Sequence, residues 1–195
     1  MRTPWNYDVD SLGPIIDEGE FDERTGNAYA NNPRAGAALS AASQAIRNFC
    51  GWHICPSLTC TAYLTGGGNV VKLPAGYVSE VTSITEDGAT LSNADFEWRR
   101  DGLVKRAGGH KWSGRWDGIE AVYKAGYEPD AAPDLSEAVC AIAAGVLNVA
   151  AGVTSESADG VSISYAQSAS SIAAGLTYQQ KEALGAYKVV SSHGA

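Results

Sequence analysis

NPRAGAALSAASQAIRNFCGWHICPS, residues 32–57, reads as one complete helix with both ends written in, followed by a sharp exit into extended chain. Asn32 is a good N-cap, and Pro33 suits the first helical position, where its missing N–H costs nothing. Leu39, Ala42, Ile46 and Phe49 recur on one face at helical spacing. The remaining positions are mostly Ala, Ser, Gln, Arg and Asn. Gly51 stands where a left-handed C-terminal cap belongs. A thin apolar stripe on an Ala-rich helix implies close packing against neighbours, and nothing in the segment is catalytic.

Downstream, from Thr59 to Glu128, the period changes from helical to alternating. CTAYL and NVVKL flank GGG and predict a hairpin. VSEVTSITEDGATL places Val78, Val81 and Ile84 on a sheet pattern, with Asp87-Gly88 as a turn. DFEWRRDGLVKRAG predicts a second hairpin around Asp101-Gly102, and GIEAVYKAGYE one more strand. This amounts to five or six short antiparallel strands. At Pro133 the helical period returns. Leu135, Val139, Ile142, Val146 and Val149 form a wide stripe, with Asp134 and Glu137 in the first turn, where acids complement the helix dipole. That stripe is expected at the centre of the core. GVSISYA is a short strand. LTYQQKEALGAYK is a last helix, its start marked by the Thr177/Gln180 capping box.

Upstream, residues 1–13 read as an extended arm. Asp17 and Glu20 cap a short helix anchored by Phe21 and stopped at Gly26. The expected fold class is therefore α+β: a small helical bundle (helices about 33–50, 133–151 and 177–187) with an inserted antiparallel β-module at about 59–128. The expected organisation is a 1–31 N-terminal arm with a short helix, a single 32–187 domain, and a 188–195 C-terminal tail.

The formal net charge of −8 over 195 residues argues against a surface that grips nucleic acid, because such surfaces are basic. It is compatible with a surface that DNA slides past. No apolar run is long enough to span a bilayer, and MRTPWNYDVD lacks the apolar core of a signal peptide. A cytosol-like compartment is expected, and with it four reduced cysteines, Cys50, Cys55, Cys60 and Cys140.

No catalytic, cofactor-binding or metal-binding set emerges. Cys50, His53, Cys55 and Cys60 have C-x4-C-x4-C spacing rather than the tight pairs of a zinc knuckle, so packed thiols are expected. His53, His110 and His193 are scattered, and no G-x-S-x-G elbow accompanies them. Thr65-Gly66-Gly67-Gly68-Asn69 lacks the Lys-Ser/Thr ending of a phosphate loop. One basic cluster exists: Arg99, Arg100, Lys105, Arg106, His110, Lys111 and Arg115, interleaved with Trp98, Trp112 and Trp116. Trp and Arg dominate contacts between subunits, so Trp98, Arg99, Arg100, Trp112 and Trp116 are the expected inter-subunit surface. The alternative is a DNA-binding module using residues 98–116, with phosphate contacts and base stacking.

An ordered set of segments resembles the adaptor-type head–tail connector (head completion) proteins of long-tailed bacteriophages. The set is the helix ending in CGWHI, the LP-x3-V strand start within KLPAGYVSEVTSITEDG, FEWRRDGLVKRAGGHKW, the Gly-Tyr of VYKAGYEP, PDLSEAVCAIAAGVLN, GVSISYA, and the closing L-T-x4-E-x-L-x-x-Y element, with FDERTGN upstream. It covers about residues 14–188; residues 1–13, Cys55 and Cys60 stand outside it. The resemblance implies a structural virion protein, not an enzyme, that needs no cofactor. It would form a ring, expected to be twelve-fold, in the virion neck after assembly in the host cytoplasm. Its expected partners are the portal protein and a stopper or next tail-side ring, with double-stranded DNA passing through the lumen unbound and no membrane. Under this reading the C-terminal helix and tail bind the portal, through Thr177, Tyr178, Leu184, Tyr187, Val189 and Val190.

Overall fold

The strand Ile119–Ala125 (β8) alternates strictly, burying Ile119, Ala121, Tyr123 and Ala125 and exposing Glu120 and Lys124. That pattern fits the centre of a sheet with one covered face. In the structure, a computed structural model that describes residues 1–148, 155–158, 161–164 and 176–189, β8 is indeed the middle strand of a five-stranded antiparallel sheet. Its order is β1 (Tyr7–Val9), β2 (Leu58–Leu64), β8, β4 (Val78–Glu86), β5 (Ala89–Thr90).

Register explains which residues share the covered face. Tyr7 pairs with Ala62 and Val9 with Cys60; Cys60 pairs with Tyr123 and Ala62 with Ala121. On the other side Val78, Val81 and Ile84 oppose Ala125, Tyr123 and Ala121. Val78, Val81 and Ile84 are three apart, not two. Two register shifts, between Val78 and Glu80 and between Val81 and Ser83, each absorb one residue and return the next apolar side chain to the same face. Asp87 (φ 50) and Gly88 (φ 85) then turn the chain into β5 with both central residues left-handed, as a two-residue hairpin demands.

A second sheet has the order β3 (Val70–Lys72), β7 (Leu103–Arg106), β6 (Phe96–Trp98). The β6–β7 hairpin around Asp101-Gly102 is as expected. The hairpin expected from CTAYL and NVVKL does not form: β2 and β3 belong to different sheets. β2 is taken on both edges, by β1 and β8, so the glycine stretch becomes a crossing. There Gly66 N donates to Ser113 O (2.9 Å), Gly67 N to Trp112 O (3.0 Å), and Trp112 N to Gly68 O (2.7 Å).

Four α-helices occur among the described residues: α1 (Glu18–Arg24), α2 (Ala35–Cys50), α3 (Pro133–Asn148) and α4 (Tyr178–Ala183). Asp17 caps α1 by accepting from Glu20 N, and Phe21 is fully buried. α2 starts at Ala35, two residues later than the sequence suggests, because Asn32 Oδ1 accepts from Arg34 N in a preceding turn. Gly51 (φ 81) ends it. Thr177 and Gln180 form the reciprocal capping box of α4, which passes into a 3-10 turn over Leu184–Tyr187. A hairpin of β9 (Ser155–Ala158) and β10 (Val161–Ser164) adds a third, two-stranded sheet.

The helices do not make a small bundle. The fold is mixed α+β with strands as its commoner element. α4 has only six residues, and the buried positions of α2 include Ala35, Ala38, Ala42 and Ser43, too small to interlock as bundle knobs. The face of α3 is also rotated from the expected stripe. Leu135, Ser136, Val139, Cys140 and Ala143 are buried, whereas Ile142 and Val146 are half-exposed. Val149, Val190 and the rest of the 190–195 tail lie outside the described residues.

The chain divides into two compact units. The β-rich unit comprises residues 1–12, 50–128 and 187–195; the helical unit comprises 13–49 and 129–186. Residues 7–9, read from the sequence as part of an extended arm, are the edge strand β1 of the large sheet. In the helical unit Phe21 stacks on Tyr29 (5.3 Å between centroids), Tyr29 Oη donates to Asn148 Oδ1 (2.9 Å), and buried Arg47 donates to Gly13 O (2.8 Å). No helix among the described residues is long and apolar enough to cross a membrane.

Candidate functional site

Two features of the β-rich unit organise what it can do: an internal aromatic hub and a pair of exposed polar ends. The hub gathers the motifs singled out in the sequence. Trp52, directly after the cap of α2, is fully buried and donates Nε1–H to Tyr187 O (2.7 Å). His53 is held at three atoms. Its backbone N–H donates to Tyr7 Oη (2.9 Å), its Nδ1 lies 2.8 Å from the same hydroxyl, and its Nε2 lies 2.9 Å from Ala125 O. A carbonyl only accepts, so Nε2 carries the proton and Nδ1 accepts from Tyr7. His53 is thus a structural tie between β1 and β8 rather than a base or a ligand.

Tyr127 stacks on Tyr77 (4.7 Å, 14°) and meets Tyr187 edge-on (5.6 Å, 86°), while Tyr127 N donates to Ile54 O (2.7 Å). Val189 N donates to Cys50 O (2.9 Å). Gly126 (φ 105) passes so close to the turn below it that a Cβ would sit 2.5 Å from Pro56 O and 2.8 Å from His53 Nε2. CGWHI, LPAGYV, AGYE and the closing Tyr187 are therefore one packing arrangement. Their order is visible in the sequence but their contact is not, because sequence spacing carries no signal for contacts 50–135 residues apart.

The four cysteines are buried free thiols. Burial pushes Cys50 and Cys60 up from 9.0 to about 12, partly opposed at Cys50 by the charge of Lys188, and it also raises Cys140. Among the described residues no group of three or more His, Cys, Asp or Glu is placed to hold a metal ion. Tyr123 Oη is buried with no hydrogen-bond partner among the described residues, and burial raises its pKa well above the usual value.

The basic and Trp cluster is not one surface. Trp112 is buried at 2%, its Nε1 donating to Val104 O, so it has no face to offer a neighbouring subunit. Arg106 lies over the Trp112 ring (5.4 Å) and is half-buried in an ion pair with Glu86 (3.0 Å), with a further bond to Asp95 O (2.8 Å). It holds the two sheets in register rather than meeting a phosphate. Trp98 is half-buried, whereas Arg99 and Arg100 are exposed at the β6–β7 turn, with Arg99 paired to Asp101 (3.1 Å). Trp116 is 93% exposed. A cavity of about 280 Å³ opens beside it, lined by Tyr63, Thr85, Asp87, Arg115, Asp117 and Glu120.

Of the residues expected to meet a portal, Tyr178 is 79% exposed and Thr177 caps α4. Leu184 is buried, Tyr187 is bound into the hub, and Val189 is half-buried. Val190 lies outside the described residues.

Solved structures share this architecture from end to end. One is a chain from the neck of an empty gene transfer agent particle computed with C6 symmetry: TM-score 0.63, 16% identity, 97% of this chain and 98% of that one covered. Another comes from the neck of the native particle computed with C12 symmetry, with TM-score 0.62, 18% identity and the same coverage of both chains. A third, from the virion of the native particle, has TM-score 0.61 and 20% identity over 97% and 98%.

This is the fold of a gene transfer agent neck chain.

At these identities the likeness is one of fold. Because it covers nearly all of both chains, the neck-chain fold includes both compact units and not merely the central sheet. No family model and no curated protein matches the chain.

Proposed function

We propose that this chain is an adaptor-type structural protein of a phage-like virion, forming a ring between the portal and the tail-side neck proteins. There it extends the DNA channel and enables head–tail joining. One observation carries the reading: the match over 97% of this chain and 98% of its counterparts to chains of necks computed with C6 and C12 symmetry. The ring is expected to be twelve-fold. The ordered resemblance to head–tail connectors in the sequence supports the adaptor assignment independently of shape.

The chemistry is consistent with a mechanical role. His53 and the thiols are committed to packing, and the proposal assigns the chain no reaction and no cofactor. A net charge of −8 and the internal pairing of Arg99, Arg106 and Arg115 favour a wall that duplex passes without being held. The portal is assigned to the α4 end, with exposed Tyr178 as its anchor. The tail-side partner is a stopper or a following ring.

The test is a reconstruction of the particle neck with this chain labelled, together with head–tail joining by particles carrying Tyr178→Ala. The expected result is a ring of this chain beneath the portal and a loss of joining in the variant with unchanged folding. Absence of the chain from finished particles would overturn the reading. So would tight duplex binding by the free chain that falls steeply with salt, which is the signature of a DNA-binding module.

A further inference from the structure

Strand β4 has different chemistry at its two ends, and both ends are fixed by backbone bonds. At its start Val78 N donates to Arg100 O (2.8 Å), which ties the β6–β7 turn to that end. The turn exposes Arg99 and Arg100, and Lys72 Nζ donates to Asp101 O behind them. Arg100 makes no ion pair among the described residues. At the far end of β4, Asp87 N donates to Gly118 O (2.8 Å), which ties on the 113–118 loop that carries Trp116. Asp117 and Glu120 flank Trp116 and make no ion pair among the described residues. Nine strand residues separate the two ends, a distance of about 25–30 Å.

The Trp116 loop is also rigid. Ser113 N donates to Glu86 Oε1 (2.6 Å), Ser113 Oγ to Asp87 Oδ1 (3.0 Å), and Asp117 N to Thr65 Oγ1 (3.2 Å), while Arg115 pairs with Asp87 (3.6 Å). The backbone that carries this exposed indole is pinned, so docking has only the two side-chain torsions of Trp116 left to order, a low cost for an interface anchor of this area.

We infer that the Trp116 end of one copy of this chain docks on the Arg99–Arg100 turn of the next copy, head to tail. The indole receives the Arg100 guanidinium on its face, and Asp117 and Glu120 supply the opposing charge. The two surfaces are different and lie at opposite ends of one strand. The contact is therefore heterologous and propagates, closing into a ring if the rotation per copy permits. This deepens the proposed function by naming its subunit contact, and rests on that reading for the ring.

The test uses full-length chains with one new thiol each, Arg99→Cys or Arg115→Cys, joined by a short bismaleimide. Within one chain these positions are too far apart to be bridged. Mixing the two chains should give a cross-linked dimer that neither gives alone, and the double variant should give a ladder. Trp116→Ala or Arg100→Glu should cut the yield at least ten-fold, and pairing Arg100→Glu with Asp117→Lys should restore it. Yield no greater than from a Glu97→Cys control, Arg115→Cys chains joined to themselves, or indifference to Trp116→Ala and Arg100→Glu would each overturn the inference. The same cross-link is then sought in finished particles. A chain present in the neck without the cross-link sinks this contact and leaves the neck reading standing; a cross-link in solution with the chain absent from particles does the reverse.

Discussion

At the residue scale the hub shows how few atoms set the path of the chain. Trp52→Phe removes the N–H that Tyr187 O accepts and leaves a cavity where the rest of the fully buried indole sat. The expected loss is about 2–3 kcal/mol, the cavity adding to the lost hydrogen bond, read as a lower urea midpoint at unchanged slope. Gly126→Ala forces a Cβ against Pro56 O and His53 Nε2 at a left-handed φ, and should cost about 2 kcal/mol or more in the same assay. The thiols give a pH signature. A group whose folded pKa is raised from 9.0 to about 12 holds its proton in the folded state after the unfolded chain has lost it. Stability contributed by Cys50 and Cys60 is therefore present below pH 9 and lost as pH rises from about 9 to about 12. At neutral pH a thiol reagent should modify none of the four cysteines in the folded protein and all four in denaturant. Rapid native modification of Cys50 or Cys60 would contradict their packing.

At the scale of elements, local chemistry and long-range pairing contributed differently. The α1 cap at Asp17, the α2 stop at Gly51, the Asp87-Gly88 turn and the Thr177/Gln180 box all stand where the sequence puts them, because each is decided within four residues. Thr177→Ala should cost about 1 kcal/mol of stability, seen by calorimetry as a lower melting temperature. The rotated face of α3 yields a sharper contrast. Val139→Asp places an unpaired charge at a fully buried position and should abolish cooperative unfolding. Ile142→Asp, at a half-exposed position, should leave a folded protein with a reduced midpoint. Equal effects of the two would mean that the expected stripe, not the observed one, is the buried face. The β2–β3 hairpin failed as an expectation for a physical reason. A glycine run between two strands is equally good at reversing the chain and at crossing between sheets, and only the partners of β2 decide between them.

At the scale of the whole molecule the polar architecture matters more than any pocket. Exposed hydrophobic anchors are few among the described residues, and Trp116 and Tyr178 lie in different compact units. Under the proposed function the chain needs distinct faces for distinct neighbours, and these two side chains are the proposed anchors, one for each. Their effects should separate. Tyr178→Ala is expected to spare the subunit cross-link and impair head–tail joining, whereas Trp116→Ala is expected to lose the cross-link first. Both variants should keep the parent melting temperature, since neither side chain is buried.

What the sequence determined by itself is everything decided over short distances: helix existence and caps, two of the turns, the alternation of β8, and the packing role of the cysteines. The connector resemblance was legible too, in an ordered set of short motifs. What only the tertiary structure decided is which strand lies beside which, that the N-terminal residues complete a sheet, that bulges bring Val78, Val81 and Ile84 onto one face, and that the basic cluster divides into a buried brace and an exposed turn. Those outcomes depend on hydrogen bonds and packing between residues tens to more than a hundred positions apart. Periodicity and propensity are local quantities and carry no record of such partners.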